Sequence, residues 1–221
     1  LTYTQAEVTA GDTAARAGRK NLIINGDMQV AQRGTSHTYS NNQSGYHSLD
    51  RIYSACFSSG GTLALSQQHA GHDSVDAPKF LRATTAGTVG AGATVYSQQS
   101  IEGIEQFSNK QVTLSFMVKA NAATTFQVRK QYSYGSGGTS TEYSGFVDVP
   151  VTTSWTKFTH TFSAVDFSSK TIGSSNSYVL MFYWSTNQGS NTVRDGNIDI
   201  TNVQLELGSV ATDFEHRSYG E

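Results

Sequence analysis

The sequence predicts an all-β fold of two packed antiparallel sheets, and three observations carry that prediction. Short runs rich in Val, Ile, Thr, Tyr and Phe recur along the 221 residues, separated by Gly, Ser, Asn and Asp clusters at sandwich-like intervals. In Val112-Leu114-Phe116-Val118 and in Phe158-Thr159-His160-Thr161-Phe162 apolar residues take every second position, so each strand has one buried and one wet face. No amphipathic run of about ten residues appears, and no fixed repeat of roughly twenty to fifty residues, which argues against a parallel β-helix.

In chain order, residues 1–20 are small, polar and Ala-rich, with Gly11 and Gly18 interrupting any helical run; they fit a short helix or an extended linker and read as a connector. A single domain occupies residues 21–221. Asn21-Leu22-Ile23-Ile24-Asn25-Gly26-Asp27 followed by Met28-Gln29-Val30-Ala31-Gln32 predicts a first strand bending at Gly26. Further strands are expected over Leu49 to Phe57, Thr62 to Gln68, Lys79 to Thr84, Thr94 to Ile101, Val112 to Ala120, Thr125 to Tyr134, Tyr143 to Val149, Thr156 to Phe162, Ser177 to Ser185 and Asn197 to Leu207. Ser177 to Trp184 breaks the alternation by being apolar on both sides, which requires a second cover: another sheet, another subunit or a ligand.

Composition narrows the partners. Charged residues make up 14% of the chain and the formal charge is -2, so no positive field awaits phosphates and nucleic acid is an unsuitable partner. Cys56 stands alone, which rules out an intrachain disulfide and leaves strand burial as its ordinary fate. Residues 1–20 lack the apolar core of a signal peptide and no stretch approaches the roughly twenty apolar residues of a span, so neither secretory export nor membrane insertion is expected.

The segment Arg19-Lys20-Asn21-Leu22-Ile23-Ile24-Asn25-Gly26-Asp27-Met28-Gln29-Val30-Ala31-Gln32-Arg33-Gly34 resembles the opening of receptor-binding domains of bacteriophage tail fibres. Leu49-Asp50-Arg51, Gln98-Gln99-Ser100-Ile101-Glu102-Gly103 and the long closing run Val203 to Glu215 resemble that family's later motifs, in order. More distantly, the opening Asn-Gly-Asp, Ser154-Trp155-Thr156-Lys157-Phe158 and Ile200 to Leu205 are similar to jelly-roll carbohydrate-binding modules of families 4 and 9. The resemblance implies a two-sheet antiparallel jelly-roll β-sandwich with first and last strands adjacent, preceded by a connector from a fibre shaft. It also implies a homotrimer carried on the virion that adsorbs to host cell-surface polysaccharide or lipopolysaccharide without catalysis. Trimerisation would cover Val179, Met181 and Tyr183. The related modules hold a structural calcium where the chain's beginning meets its end; here Gln29 and Asn202 stand where acidic residues are usual, leaving Asp27 and Asp199 as the ligands to test.

A sugar binder needs aromatic planes beside amide, carboxylate or guanidinium groups. With Phe126 and Val128 facing the core, Gln127, Arg129 and Gln131 turn to the opposite side. Tyr132 and Tyr134 lead into Gly135-Ser136-Gly137-Gly138 and Tyr143 follows it, an aromatic-rich tip that either binds sugar or packs on the sandwich edge. Gln127, Arg129, Tyr132, Tyr134, Tyr143 and Trp184 are therefore the carbohydrate-binding candidates, with subunit packing the competing reading for the strand that ends in Trp184. Trp155 reads as core or edge support, and His69-Ala70-Gly71-His72-Asp73 as a connecting loop rather than a metal site. Two alternatives stand beside binding: a purely structural knob that caps a trimeric fibre and binds nothing, and a glycan depolymerase, which requires two facing carboxylates, with Glu102, Glu105, Glu142 and Asp148 as the available groups.

Overall fold

The computed structural model describes residues 20–58, 60–70, 75, 77–87, 94–186 and 195–216. Its strands are β1 (Ser36–Ser40), β2 (Gln43–Gly45), β3 (Tyr53–Phe57), β4 (Thr62–His69), β5 (Lys79–Ala86), β6 (Thr94–Glu102), β7 (Val112–Ala120), β8 (Thr124–Ser133), β9 (Glu142–Tyr143), β10 (Val147–Val151), β11 (Thr156–Phe162), β12 (Ser177–Thr186) and β13 (Gly196–Leu207), with a 3-10 turn at Ile104–Phe107. They form a six-stranded sheet in the order β1-β4-β5-β13-β7-β11 and a seven-stranded sheet in the order β10-β8-β12-β6-β3-β2, with β9 paired to β8. All pairings between these strands are antiparallel, and the chain crosses repeatedly from one sheet to the other, as a jelly-roll β-sandwich requires.

Alternation fills the space between the sheets. Leu114, Phe116 and Val118 of β7 and Ile198 and Ile200 of β13 meet Phe126 and Val128 of β8 and Leu180, Phe182 and Trp184 of β12 in one continuous core. Trp184 shares the inward parity of Leu180 and Phe182 and stacks on Phe126, 5.4 Å away between centroids; the pairing with β6 shifts register between Tyr183 and Ser185. Its indole Nε1 donates to Ser97 Oγ at 2.8 Å.

The beginning of the chain is laid against its end, as the resemblance implies, but residues 21–32 form no regular strand. Their backbone partners lie on β13, where the pairing with β7 slips between Thr201 and Gln204 and Asn202 takes φ 51°. Leu22 N donates to Leu205 O at 2.9 Å, and Val203 N to Gly26 O at 2.8 Å. A Cβ on Gly26 would stand 2.1 Å from Val203 O, so only glycine fits this crossing. Buried side chains complete the seam: Asn21 Oδ1 accepts from Ile23 N and Leu205 N, its Nδ2 donates to Val203 O, and Gln99 bonds both backbone groups of Ile24.

Other differences from the sequence reading have local causes. Leu49–Ile52 is a turn with Arg51 at φ 70°, so the strand starts at Tyr53. Ser144-Gly145-Phe146 separates β9 from β10, and the polar strands β1 and β2 carry too little apolar patterning to be read in advance. Val179, Met181 and Tyr183 are already 3%, 5% and 3% exposed in the single chain, beneath Tyr96 and Phe146, so they supply no reason for a trimer. The connector at residues 1–19 and most of the His69 to Asp73 loop lie outside the described residues.

Candidate functional site

Strand register lays out the outward face of the seven-stranded sheet. On β8, Phe126, Val128 and Tyr132 point into the core, so Gln127, Arg129 and Gln131 point away from it. Gln127 stands opposite Asp148 of β10 and Tyr183 of β12, Arg129 opposite Met181, and Gln131 opposite Tyr143 of β9 and Val179. Across β12 the rows continue with Tyr96, Gln98 and Ser100 of β6, and β3 adds Tyr53 opposite Gln98 and Phe57 opposite Thr94.

These rows bring aromatic rings together into a ladder that crosses the strands. Ring centroids are 5.1 Å apart for Phe146 and Tyr183, 5.6 Å for Tyr183 and Tyr96, 6.5 Å for Tyr96 and Tyr53, and 5.3 Å for Tyr53 and Tyr46. Phe57 joins Tyr96 at 6.2 Å. From β8 to β2 the ladder crosses four inter-strand gaps of about 4.8 Å, or about 19 Å in all. Tyr143, Tyr46 and Phe57 are 52%, 43% and 39% exposed, so rings at both ends of the ladder present their surface to solvent.

Arg129 sits within the ladder. Its guanidinium carbon lies 4.1 Å from the Tyr143 ring centre, 4.6 Å from Phe146 and 5.0 Å from Tyr183. Burial, with the neighbouring Tyr53, Tyr183 and Tyr143 adding to it, pushes the Tyr96 phenol up to about 12. Burial likewise raises Tyr183, opposed by Arg129. Both phenols are therefore neutral hydrogen-bonding groups at physiological pH. Planar rings flanked by Gln98, Gln131 and Ser100 can stack on the apolar faces of sugars while amides and hydroxyls meet their hydroxyl groups.

Of the residues singled out in the sequence, Arg129 and Tyr143 come together here. Gln127 points outward too, but it is buried, with its Nε2 donating to Asp148 Oδ1 at 2.8 Å. Tyr132, Tyr134 and Trp184 are corrected out of the site, because all three are core residues. Tyr132 and Tyr134 share the parity of Phe126 and Val128, and strand geometry continues through them; their rings pack edge-on against Phe167, and Tyr134 OH donates to Glu142 Oε2 at 2.9 Å. Tyr46, Tyr53, Phe57, Tyr96 and Phe146 were not anticipated. Alternation around the inward Cys56 and Val95 marks Phe57, Tyr53 and Tyr96 as outward, but their meeting depends on which strands are neighbours.

A calcium site does not fit the residues at the seam. Asp199 is held by Arg82, whose Nε and Nη2 each donate to one carboxylate oxygen at 2.8 Å. Asp27 Oδ2 accepts from Gln29 Nε2 at 2.7 Å, and the carbonyls of Met28 and Gln29 already receive Gln67 Nε2. The Lys79 ammonium, 3.3 Å from Gln29 O, brings a fixed positive charge to the same turn. Among the described residues, no three His, Cys, Asp or Glu side chains gather as a metal site. On the other sheet Trp155 supports an edge, against Phe80 at 5.5 Å and beneath the Lys119 ammonium at 4.9 Å.

No protein-family model matches the chain, and no curated protein does. Among solved structures, the enzymatically active domain of tailspike protein 4 of bacteriophage CBA120 is similar over 85% of this chain, with 13% identity and a TM-score of 0.48. This chain spans about a fifth, 21%, of that protein's length. A family 11 carbohydrate-binding module from Clostridium thermocellum, in complex with a β-1,3-1,4-mixed-linked tetrasaccharide, covers 83% of this chain and 99% of its own, with 14% identity and a TM-score of 0.48. The CBM22-1 xylan-binding domain of Paenibacillus barcinonensis Xyn10C covers 79% and 95%, with 13% identity and a TM-score of 0.42.

Proposed function

We propose that this domain binds carbohydrate, without catalysis, through the aromatic ladder of its seven-stranded sheet. The carrying observation is the ladder itself: rings from β2–β3, β6, β12 and the β9–β10 segment share one outward face, and its ends are open to solvent. Tyr183 lies beneath Tyr96 and Phe146, and the half-buried and exposed rings around it spread over about 19 Å, a span and chemistry that suit an oligosaccharide. The resemblance of the opening and closing motifs supports the finer reading, a tail-fibre domain adsorbing to a host-surface polysaccharide or lipopolysaccharide. Assembly as a homotrimer rests on that resemblance alone.

Two carboxylates favour binding over hydrolysis. Glu142 accepts from Lys170 and Tyr134, which hold its carboxyl below the usual range, the reverse of what a general acid needs. Asp148 is engaged by the Gln127 amide.

The test is a screen of bacterial surface polysaccharides with the intact domain and with a Tyr46→Ala/Phe57→Ala double variant. Both side chains are exposed, so the melting temperature should stay within about 2 °C of the parent. Binding should fall at least tenfold, about 1.4 kcal/mol. Unchanged binding by a folded double variant would overturn the ladder as the site.

A further inference from the structure

We propose that the saccharide recognised by this face carries a carboxylate, as a uronic-acid-type sugar does, and that Arg129 is the residue that reads it. This rests on the ladder being the binding site. A guanidinium offers two faces for aromatic contact and an edge of N–H groups for hydrogen bonding. Three rings surround Arg129, at 4.1, 4.6 and 5.0 Å, so ring contact already occupies its faces. The edge is only partly answered: the guanidinium hydrogen-bonds the Tyr183 side chain, but among the described residues Arg129 Nε is buried and donates to no acceptor.

A buried N–H without an acceptor is rare in a folded protein, and where it sits on a cation inside a candidate site, an incoming acceptor is its natural complement. A carboxylate matches the guanidinium edge in both geometry and charge, and the rings that screen Arg129 from water strengthen such a pair. The neighbouring carboxylate Asp148 is turned toward the Gln127 amide at 2.8 Å. Tyr143, half-exposed on the two-residue strand β9, is the most open of the three rings around the guanidinium. A second guanidinium, Arg33, lies 5.8 Å from the Tyr46 ring at the far end of the ladder, where Asp50 stands 4.0 Å from its Nε and offsets its charge.

The experiment immobilises a panel of acidic polysaccharides, including polygalacturonate, alginate and hyaluronate, each beside its carboxyl-reduced form, together with neutral, sulfated and phosphorylated glycans. Wild-type domain should bind carboxylate-bearing glycans, lose at least about tenfold on carboxyl reduction, and weaken as NaCl rises from about 0.05 to 0.5 M. Arg129→Gln should remove the preference for the acid form and leave weak binding to both; Arg129→Lys should restore it only in part. The carboxyl-reduction comparison uses unaltered protein, so it stands even if Arg129→Gln disturbs Tyr143 and Phe146. Binding of neutral glycans, or indifference to reduction, with loss in Tyr46→Ala/Phe57→Ala, overturns the carboxylate inference and leaves the ladder standing. Binding confined to sulfated or phosphorylated glycans overturns it as well. Binding that survives in the folded ladder variant overturns the site, and this inference with it.

Discussion

The seam between residues 21–26 and residues 203–215 and the ladder on the seven-stranded sheet are built on opposite principles. At the seam, polar groups are buried and answered: Asn21 makes three side-chain hydrogen bonds, Glu206 accepts from Gln204 and twice from Thr212, and Glu215 Oε2 receives Asn21 N. On the ladder, Tyr46, Phe57 and Tyr143 are exposed while Tyr183 lies beneath Tyr96 and Phe146, and among the described residues Arg129 Nε has no acceptor. Gly26, Asn21, Gln99, Gln204 and Glu206 hold the seam together, and none of them belongs to the ladder.

The sharpest way to break this division is Gly26→Ala. Its new Cβ meets the Val203 carbonyl at 2.1 Å, and both contacting segments are backbone with nowhere to retreat. A loss of about 3 kcal/mol or more is expected, seen as a fall of about 6 to 12 °C in thermal unfolding. Glycan binding by the folded fraction should be unchanged. Asn21→Ala sharpens the same point with a smaller effect. It leaves Leu205 N and Ile23 N without their acceptor, at about 1–3 kcal/mol by denaturant titration, again without loss of affinity. Reduced affinity in either folded variant would mean that seam and ladder are coupled.

The sequence displays these two regions unequally. Strands with one clean alternation, such as β7 and β11, are legible because burial on one face leaves period-two patterning in the chain itself. β1 and β2 are not, since Ser36–Ser40 and Gln43–Gly45 are short and polar and pair only because neighbouring strands offer them an edge. Residues 21–32 look like a strand, yet their partners sit on either side of a bulge that no local pattern reveals. Within the site, the outward turn of Arg129 follows from counting along β8. The same count sends Tyr132 and Tyr134 inward, against the expectation that the following glycines would release them to solvent. The meeting of Tyr183 with Tyr96 and of Tyr96 with Tyr53 was out of reach, because it needs the order β12-β6-β3, which is a property of topology.

Within β8, outward Arg129 contrasts with inward Lys130. Lys130 donates to Ser163 O at 2.6 Å and to Tyr132 OH at 3.0 Å, and burial lowers its pKa to about 8. The unfolded chain, with an ordinary lysine, binds more protons than the folded one from about pH 8 upward, so this group makes stability rise with pH. The tyrosines oppose it: burial raises Tyr132 and Tyr96 to about 12, and Tyr39, Tyr134, Tyr178 and Tyr183 as well, so the unfolded state loses protons first as pH nears the ordinary tyrosine value of about 10 and the sign reverses above about 9. Urea titrations at pH 8, 8.5 and 9 should show a gain of about 0.5–1 kcal/mol, and Lys130→Met should remove it. A parent protein whose stability does not change over that window would place the Lys130 amine in water.

The smallest effect expected is none at all, on treatment with a chelator. If calcium braced the seam, EDTA would lower the melting temperature, because a metal bound only by the folded state contributes its binding free energy to stability. Here both oxygens of Asp199 already meet Arg82, Gln67 serves the Met28 and Gln29 carbonyls, and the Lys79 ammonium supplies a cation at the same turn. Thermal unfolding in about 5 mM EDTA and in about 5 mM CaCl2 should therefore coincide within about 1 °C. Lys79→Met should be less stable than the parent in both, since it removes the ammonium from Gln29 O and Gln67 Oε1. A calcium-dependent rise in the parent would show that the seam opens to admit a metal. A rise confined to Lys79→Met would instead show the ammonium occupying the place a cation would take, which is what the geometry around Gln29 describes.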